Sequence, residues 1–133
     1  MKKIVGLVIV AVLFGSCGLS KNVVRSGDIA RPQYFGEITV LDNFASLPEG
    51  AEQVATIFIG DKGATVDCSY NKVLAESMKQ ARKYGGNYLV INRHFVTGLL
   101  SDCHQIASTA YWVDPSLLNK QKEVKKEEKN TNE

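Results

Sequence analysis

The chain has 133 residues, with 16 Lys and Arg against 14 Asp and Glu, and a formal charge of +2 at neutral pH. That length leaves room for one domain at most once the two non-globular ends are set aside. Removing Lys2 and Lys3 with an N-terminal leader leaves 14 basic residues against 14 acidic ones, so no net basic field remains to favour nucleic acid.

The leader comes first in the chain. Met1, Lys2 and Lys3 form a positive start, residues 4–14 are apolar apart from Gly6, and Gly15 and Ser16 precede Cys17. This is the pattern of a secretion signal. Its apolar run of 11 residues falls well short of the ~20 that a helix needs to span hydrocarbon. Phe14-Gly15-Ser16-Cys17 resembles the bacterial lipoprotein box, with Phe14 where Leu is usual. The resemblance implies removal of residues 1–16 and acylation of Cys17; the alternative is an ordinary secreted protein cut near Ser16 with an incidental cysteine. At about 0.8 kcal/mol per buried CH₂, two or three acyl chains hold a protein on a membrane essentially permanently. The expected location is the cell envelope, lipid-anchored at the outer membrane, with the leaflet left open.

Residues 18–33 are mixed and polar, contain Ser20, Asn22, Ser26, Gly27 and Pro32, and show no sustained period. They read, with Cys17, as a lipidated tether over 17–33, whose residues after Cys17 reach at most about 55 Å. Residues 37–42 alternate with β-branched side chains and predict a strand, ended by the turn chemistry of Leu47-Pro48-Glu49-Gly50. Residues 54–59 predict a second strand, stopped by Gly60-Asp61-Lys62-Gly63. From Tyr70 to Tyr84 apolar residues recur at three- and four-residue spacing (Tyr70, Val73, Leu74, Met78, Ala81, Tyr84), with Lys72, Glu76, Lys79, Arg82 and Lys83 opposite. Ser69, or else Asp67, suits the N-cap, and Gly85 or Gly86 the left-handed position after the last turn.

Residues 88–91 are apolar on both sides, as in a central strand, and continue into Asn92-Arg93-His94-Phe95. After a loop over 96–102, residues 105–113 predict a last strand, stopped by Asp114-Pro115. Beyond Leu118 the chain is Lys- and Glu-rich with Val124 as its lone aliphatic side chain, so residues 115–133 are expected to form a charged, disordered or frayed helical tail. The order is β-β-α-β-β: a two-layer α+β domain over residues 34–114, with a mixed sheet and one packed helix. The second strand, helix and third strand form a crossover that sets those strands parallel; the third and fourth form an antiparallel hairpin.

That topology places the loops after the second and third strands at one end of the sheet, and with them Cys68 and Cys103. With Cys17 spent on lipid, these are an even pair in an oxidising compartment and are expected to form a disulfide. The sharper alternative is a zinc or copper site from Cys68, Cys103, His104 and His94, since a symmetric hairpin sets His94 opposite His104. Against it, adjacent strand residues point to opposite faces, so Cys103 and His104 diverge, and no Cys-x-x-Cys is present. Cys68 as a nucleophile, and Gly60-Asp61-Lys62-Gly63 as a phosphate loop, match composition but no motif. No catalytic residue and no cofactor are assigned.

Ile59-Gly60-Asp61, Asp67-Cys68-Ser69-Tyr70, Ala81-Arg82-Lys83-Tyr84-Gly85-Gly86-Asn87 and Cys103-His104 together resemble a family of small Bacteroidota lipoproteins over residues 37–113. The arrangement is also similar to the envelope-stress sensor lipoproteins of the Rcs phosphorelay, which carry two disulfides where this chain can form one. The segment from Ala81 to Asn87 further resembles small domains named heavy-metal-binding. These resemblances imply a non-enzymatic, membrane-anchored envelope lipoprotein presenting its domain for protein interaction or envelope sensing. A metal-binding envelope module is the alternative.

Overall fold

The computed structural model describes residues 18–28, 30–42, 44–60, 67–97 and 103–131. The leader and Cys17, the turn beyond Gly60 and most of the loop expected over 96–102 lie outside the described residues. Five strands form one mixed sheet: β1 (Ser20–Arg25), β2 (Thr39–Leu41), β3 (Glu52–Gly60), β4 (Tyr88–Thr97) and β5 (Cys103–Trp112), in the order β1-β3-β5-β4-β2. Helix α1 (Tyr70–Lys83) packs on one face, and α2 (Pro115–Thr131) follows the last strand. The α+β, two-layer arrangement is as the hydrophobic pattern implies. β3 and β4 both run antiparallel to β5 and are therefore parallel to each other, but β5 inserts between them. β2 adds in parallel outside β4.

Alternation decides which side chains α1 covers. Ala55, Ile57 and Ile59 of β3, Ile106 and Ala110 of β5 and Leu89 of β4 join Val73 and Ala81 of the helix in one core, the period of two in the strands meeting the three-to-four spacing of the helix. The two strands that flank β5 are each interrupted once. The register shifts between Gln53 and Ala55 and again between Ile91 and Arg93, so an extra residue re-aims the side chains beyond it.

Both ends of α1 are specified locally. Ser69 Oγ accepts the Lys72 amide at 3.4 Å, and Asp67 in turn accepts the Ser69 amide. At the other end Gly86 N–H donates to Ala81 and Gly85 N–H to Arg82, with Gly85 at φ +84°, the paired closing bonds of a Schellman stop. A Cβ on Gly85 would lie 2.6 Å from Arg31 Cβ and 2.7 Å from the Pro32 carbonyl, so the position needs glycine for space as well as for conformation. Asn87 then does the work of a short strand. Its side chain donates to the Val113 carbonyl and accepts the Val113 amide, both at 2.8 Å, in a buried setting.

Two expectations are corrected. The segment expected as a tether holds β1, which pairs with β3 from Ser20↔Gly60 to Arg25↔Ala55, and Leu19 just before it belongs to the core. The domain therefore begins at Leu19 rather than Tyr34. Of the two forms expected for the tail, disorder is the one corrected: it is a helix of 17 residues, because Asp114-Pro115 ends one element and starts the next. Asp114 accepts the Ser116 amide at 2.9 Å, Pro115 suits the first helical position, and that amide together with the Ser116 hydroxyl holds the Asp114 carboxyl below its usual range.

Candidate functional site

The chemistry-bearing residues gather at one end of the sheet. β3 ends there at Gly60, α1 starts at Tyr70, β4 ends at Thr97 and β5 starts at Cys103, because antiparallel pairing brings Thr97 beside Cys103 and Ile59 beside Ile106. Cys68 and Cys103 are joined in a disulfide with their Cα atoms 4.9 Å apart. The His104 amide donates to the Cys68 carbonyl at 3.0 Å, so a backbone bond beside the bridge also ties the start of α1 to β5. The bridge spans 35 positions, and in the chain-entropy view a loop of that size stabilises by roughly 4 kcal/mol.

His94 and His104 do meet, though not as direct cross-strand partners. The shift after Ile91 sets His94 opposite Ile106 and His104 opposite Val96, leaving the two imidazoles diagonal to each other. His94 Nε2 lies 2.7 Å from His104 Nδ1, and the rings are 9° from parallel with centroids 5.0 Å apart. That separation is close to the N···N distance plus a ring radius at each end, so the rings lie side by side in one plane. A single proton is shared in this contact, one ring donating and the other accepting. The Tyr70 ring packs edge-on against both, at 4.9 Å from His94 and 6.0 Å from His104.

This geometry removes the four-ligand metal site. Neither cysteine offers a thiolate while the bridge stands, and two of the four imidazole nitrogens face each other. Among the described residues no group of three or more His, Cys, Asp or Glu is placed to hold a metal. Cys68 as a nucleophile falls for the same reason, since a sulfur in a disulfide has no lone thiolate to attack with.

β1 is fastened to the helix above this end. Lys21 pairs with Glu76 at 2.9 Å, and Gln80 adds a second hydrogen bond to the same carboxylate. Burial alone would raise Glu76; the bonds from Lys21 and Gln80, with the Lys21 and Lys79 charges, outweigh it and hold the carboxyl below its usual value. The opposite end carries another cluster. Arg31 pairs with Glu52 and lies over the Trp112 ring at 5.2 Å, while Tyr34 meets Trp112 edge-on at 6.1 Å.

On the sheet face away from α1 the centre is closed, with Val90 and Thr109 buried. Towards the disulfide end the same face opens: Phe58 is 36% exposed and Phe95 41%, while Val96, 56% exposed, stands at the strand end on the α1 side, opposite His104. The sequence pattern marked Phe58 and Phe95 only as strand residues. Their exposure follows from the sheet having one packed helix, so every second side chain at this end has no covering layer. No helix among the described residues is long and apolar enough to cross a membrane. No protein-family model matches the chain, and no curated protein or solved structure is significantly similar to it.

Proposed function

We propose that this chain is an envelope lipoprotein. Residues 1–16 are removed, Cys17 is acylated, and a small disulfide-bonded domain is held at a membrane to bind a protein partner or sense the state of the envelope. The resemblance to small Bacteroidota lipoproteins, and the arrangement shared with the Rcs sensors, belong to the same proposal. The observation that carries it is the Cys68–Cys103 bridge, since such a bond persists in exported proteins and is rare where glutathione keeps thiols reduced. The leader of Lys2, Lys3 and the apolar run to Phe14 supplies the matching export signal.

The role is binding rather than catalysis. In support, the chemically versatile side chains at the disulfide end are engaged with one another, the thiols in a bond and the imidazoles in a shared proton. Phe35, 84% exposed, stands at the other end beside the close of α1, an aromatic contact of the kind that anchors protein interfaces. The test is fractionation. Wild-type protein should remain with membranes after high-salt and carbonate washes, and a Cys17→Ser form should be released or left unprocessed. Equal partition of the two forms, both with the leader removed, would overturn the proposal.

A further inference from the structure

Leu19 is 8% exposed and belongs to the core, and β1 begins at the next residue. Only two residue steps separate Leu19 from Cys17, a contour of at most about 7 Å. Resting on the acylation of Cys17 proposed above, that distance leaves the domain no freedom to stand away from the bilayer. We infer that the disulfide end of the domain lies against the lipid surface, with Val96, Phe95 and Phe58 set into its interface.

The fold decides which end faces the lipid. β1 enters the sheet at Ser20, paired with Gly60, the same end at which α1 starts and β4 turns into β5. β4 lies three strands from β1, a lateral offset of roughly 14 Å, so Phe95 and Val96 stand beside the anchor at similar depth. Phe58 lies between them on β3, and Arg93, opposite Ala107 in the row that also holds Phe58, is exposed and can meet anionic headgroups. Apolar side chains left in water at this end are a cost; within the headgroup and acyl boundary they are stabilising. The helix of 14 residues carries the opposite end, with Phe35, roughly 21 Å further out. That end stays in the aqueous compartment, available to a partner.

The full-length lipoprotein, purified from membranes, is to be returned to vesicles of phosphatidylethanolamine and phosphatidylglycerol containing a nitroxide-labelled phospholipid. Val96→Cys and Phe35→Cys forms each carry one environment-sensitive fluorophore, Cys68 and Cys103 being bridged and Cys17 acylated. Both positions are exposed, and the retained disulfide, read by mass, reports that each variant is folded. The label at 96 should lose at least about half its emission to the nitroxide lipid while the label at 35 is unaffected. Acylated protein whose labels at 96 and 35 respond alike would overturn this inference and leave the lipoprotein reading standing. Protein without fatty acid on Cys17 would overturn both.

Discussion

Among the hydrogen-bonding side chains, Asn87 is the one whose loss the fold should feel most. Its amide side chain makes a two-way contact with the Val113 backbone, donating to the carbonyl and accepting from the N–H at 2.8 Å each, and its own amide donates to Tyr111 at 2.9 Å. Asn87 is 5% exposed and Val113 fully buried. Asn87→Ala keeps the backbone bond but leaves a buried N–H and a buried C=O without partners, at about 1–3 kcal/mol each. An overall loss of about 3 kcal/mol is a large share of the 5–15 kcal/mol typical of a domain. Urea unfolding of the processed chain carrying Cys17→Ser, disulfide intact, should show a midpoint lower by about 2 M with the slope unchanged. Asn92→Ala, which removes one partly exposed bond to Thr109 Oγ1, is the control and should cost below about 1 kcal/mol. An Asn87→Ala midpoint within error of Asn92→Ala would refute the claim that Asn87 closes the β5 end by hydrogen bonding.

Replacing Cys68 and Cys103 together by Ser should cost roughly 4 kcal/mol and lower the melting temperature by about 20 °C, read by calorimetry; a shift of a few degrees would contradict the bridge. Gly85→Ala meets both the positive φ and the Arg31 and Pro32 contacts and should destabilise by about 2–3 kcal/mol, whereas Gly27→Ala, also at positive φ but in open space, should cost only about 1 kcal/mol. Because the folded Glu76 carboxyl is held below its unfolded value, the unfolded chain binds the extra proton as acidity rises. Its contribution is therefore complete above the ordinary carboxylate range and is lost as pH falls through the lower folded value. Glu76→Gln should lose below about 1 kcal/mol at pH 7, since the pair is partly solvated, and the deficit should shrink steadily as the pH falls below the ordinary carboxylate range; a deficit independent of pH would show that the ion pair is not the cause.

The helix and the hairpin were legible because their signals are local. Ser69 and Gly85 mark the ends of α1, and six apolar residues at helical spacing mark the side that packs on the core, Val73 and Ala81 buried and the other four half-buried, though not the buried Ser77 and Gln80 between them. The common end for Cys68 and Cys103 followed from strand direction alone, and the bridge lies there. β1 was hidden because its helix-facing positions alternate charge with apolar residues: Lys21 reaches Glu76 on α1 while Val23 packs on the core. An edge strand of this kind has no continuous apolar side for a periodicity to report. The bulge after Ile91 defeated the symmetric pairing of His94 with His104, since one inserted residue changes register without altering composition. α2 was obscured by its charge, although Asp114 and Pro115 carried a start signal that was read only as a stop.

The central claim, export with a lipid on Cys17 and a bond between the other two cysteines, is tested most directly by the intact mass of protein extracted from its own membranes. The account predicts loss of residues 1–16, added fatty-acid mass confined to the N-terminal peptide, and a two-proton gain on reduction that maps to Cys68 and Cys103. A mature chain free of fatty acid, or one whose two later cysteines alkylate without reductant in the native extract, would contradict it.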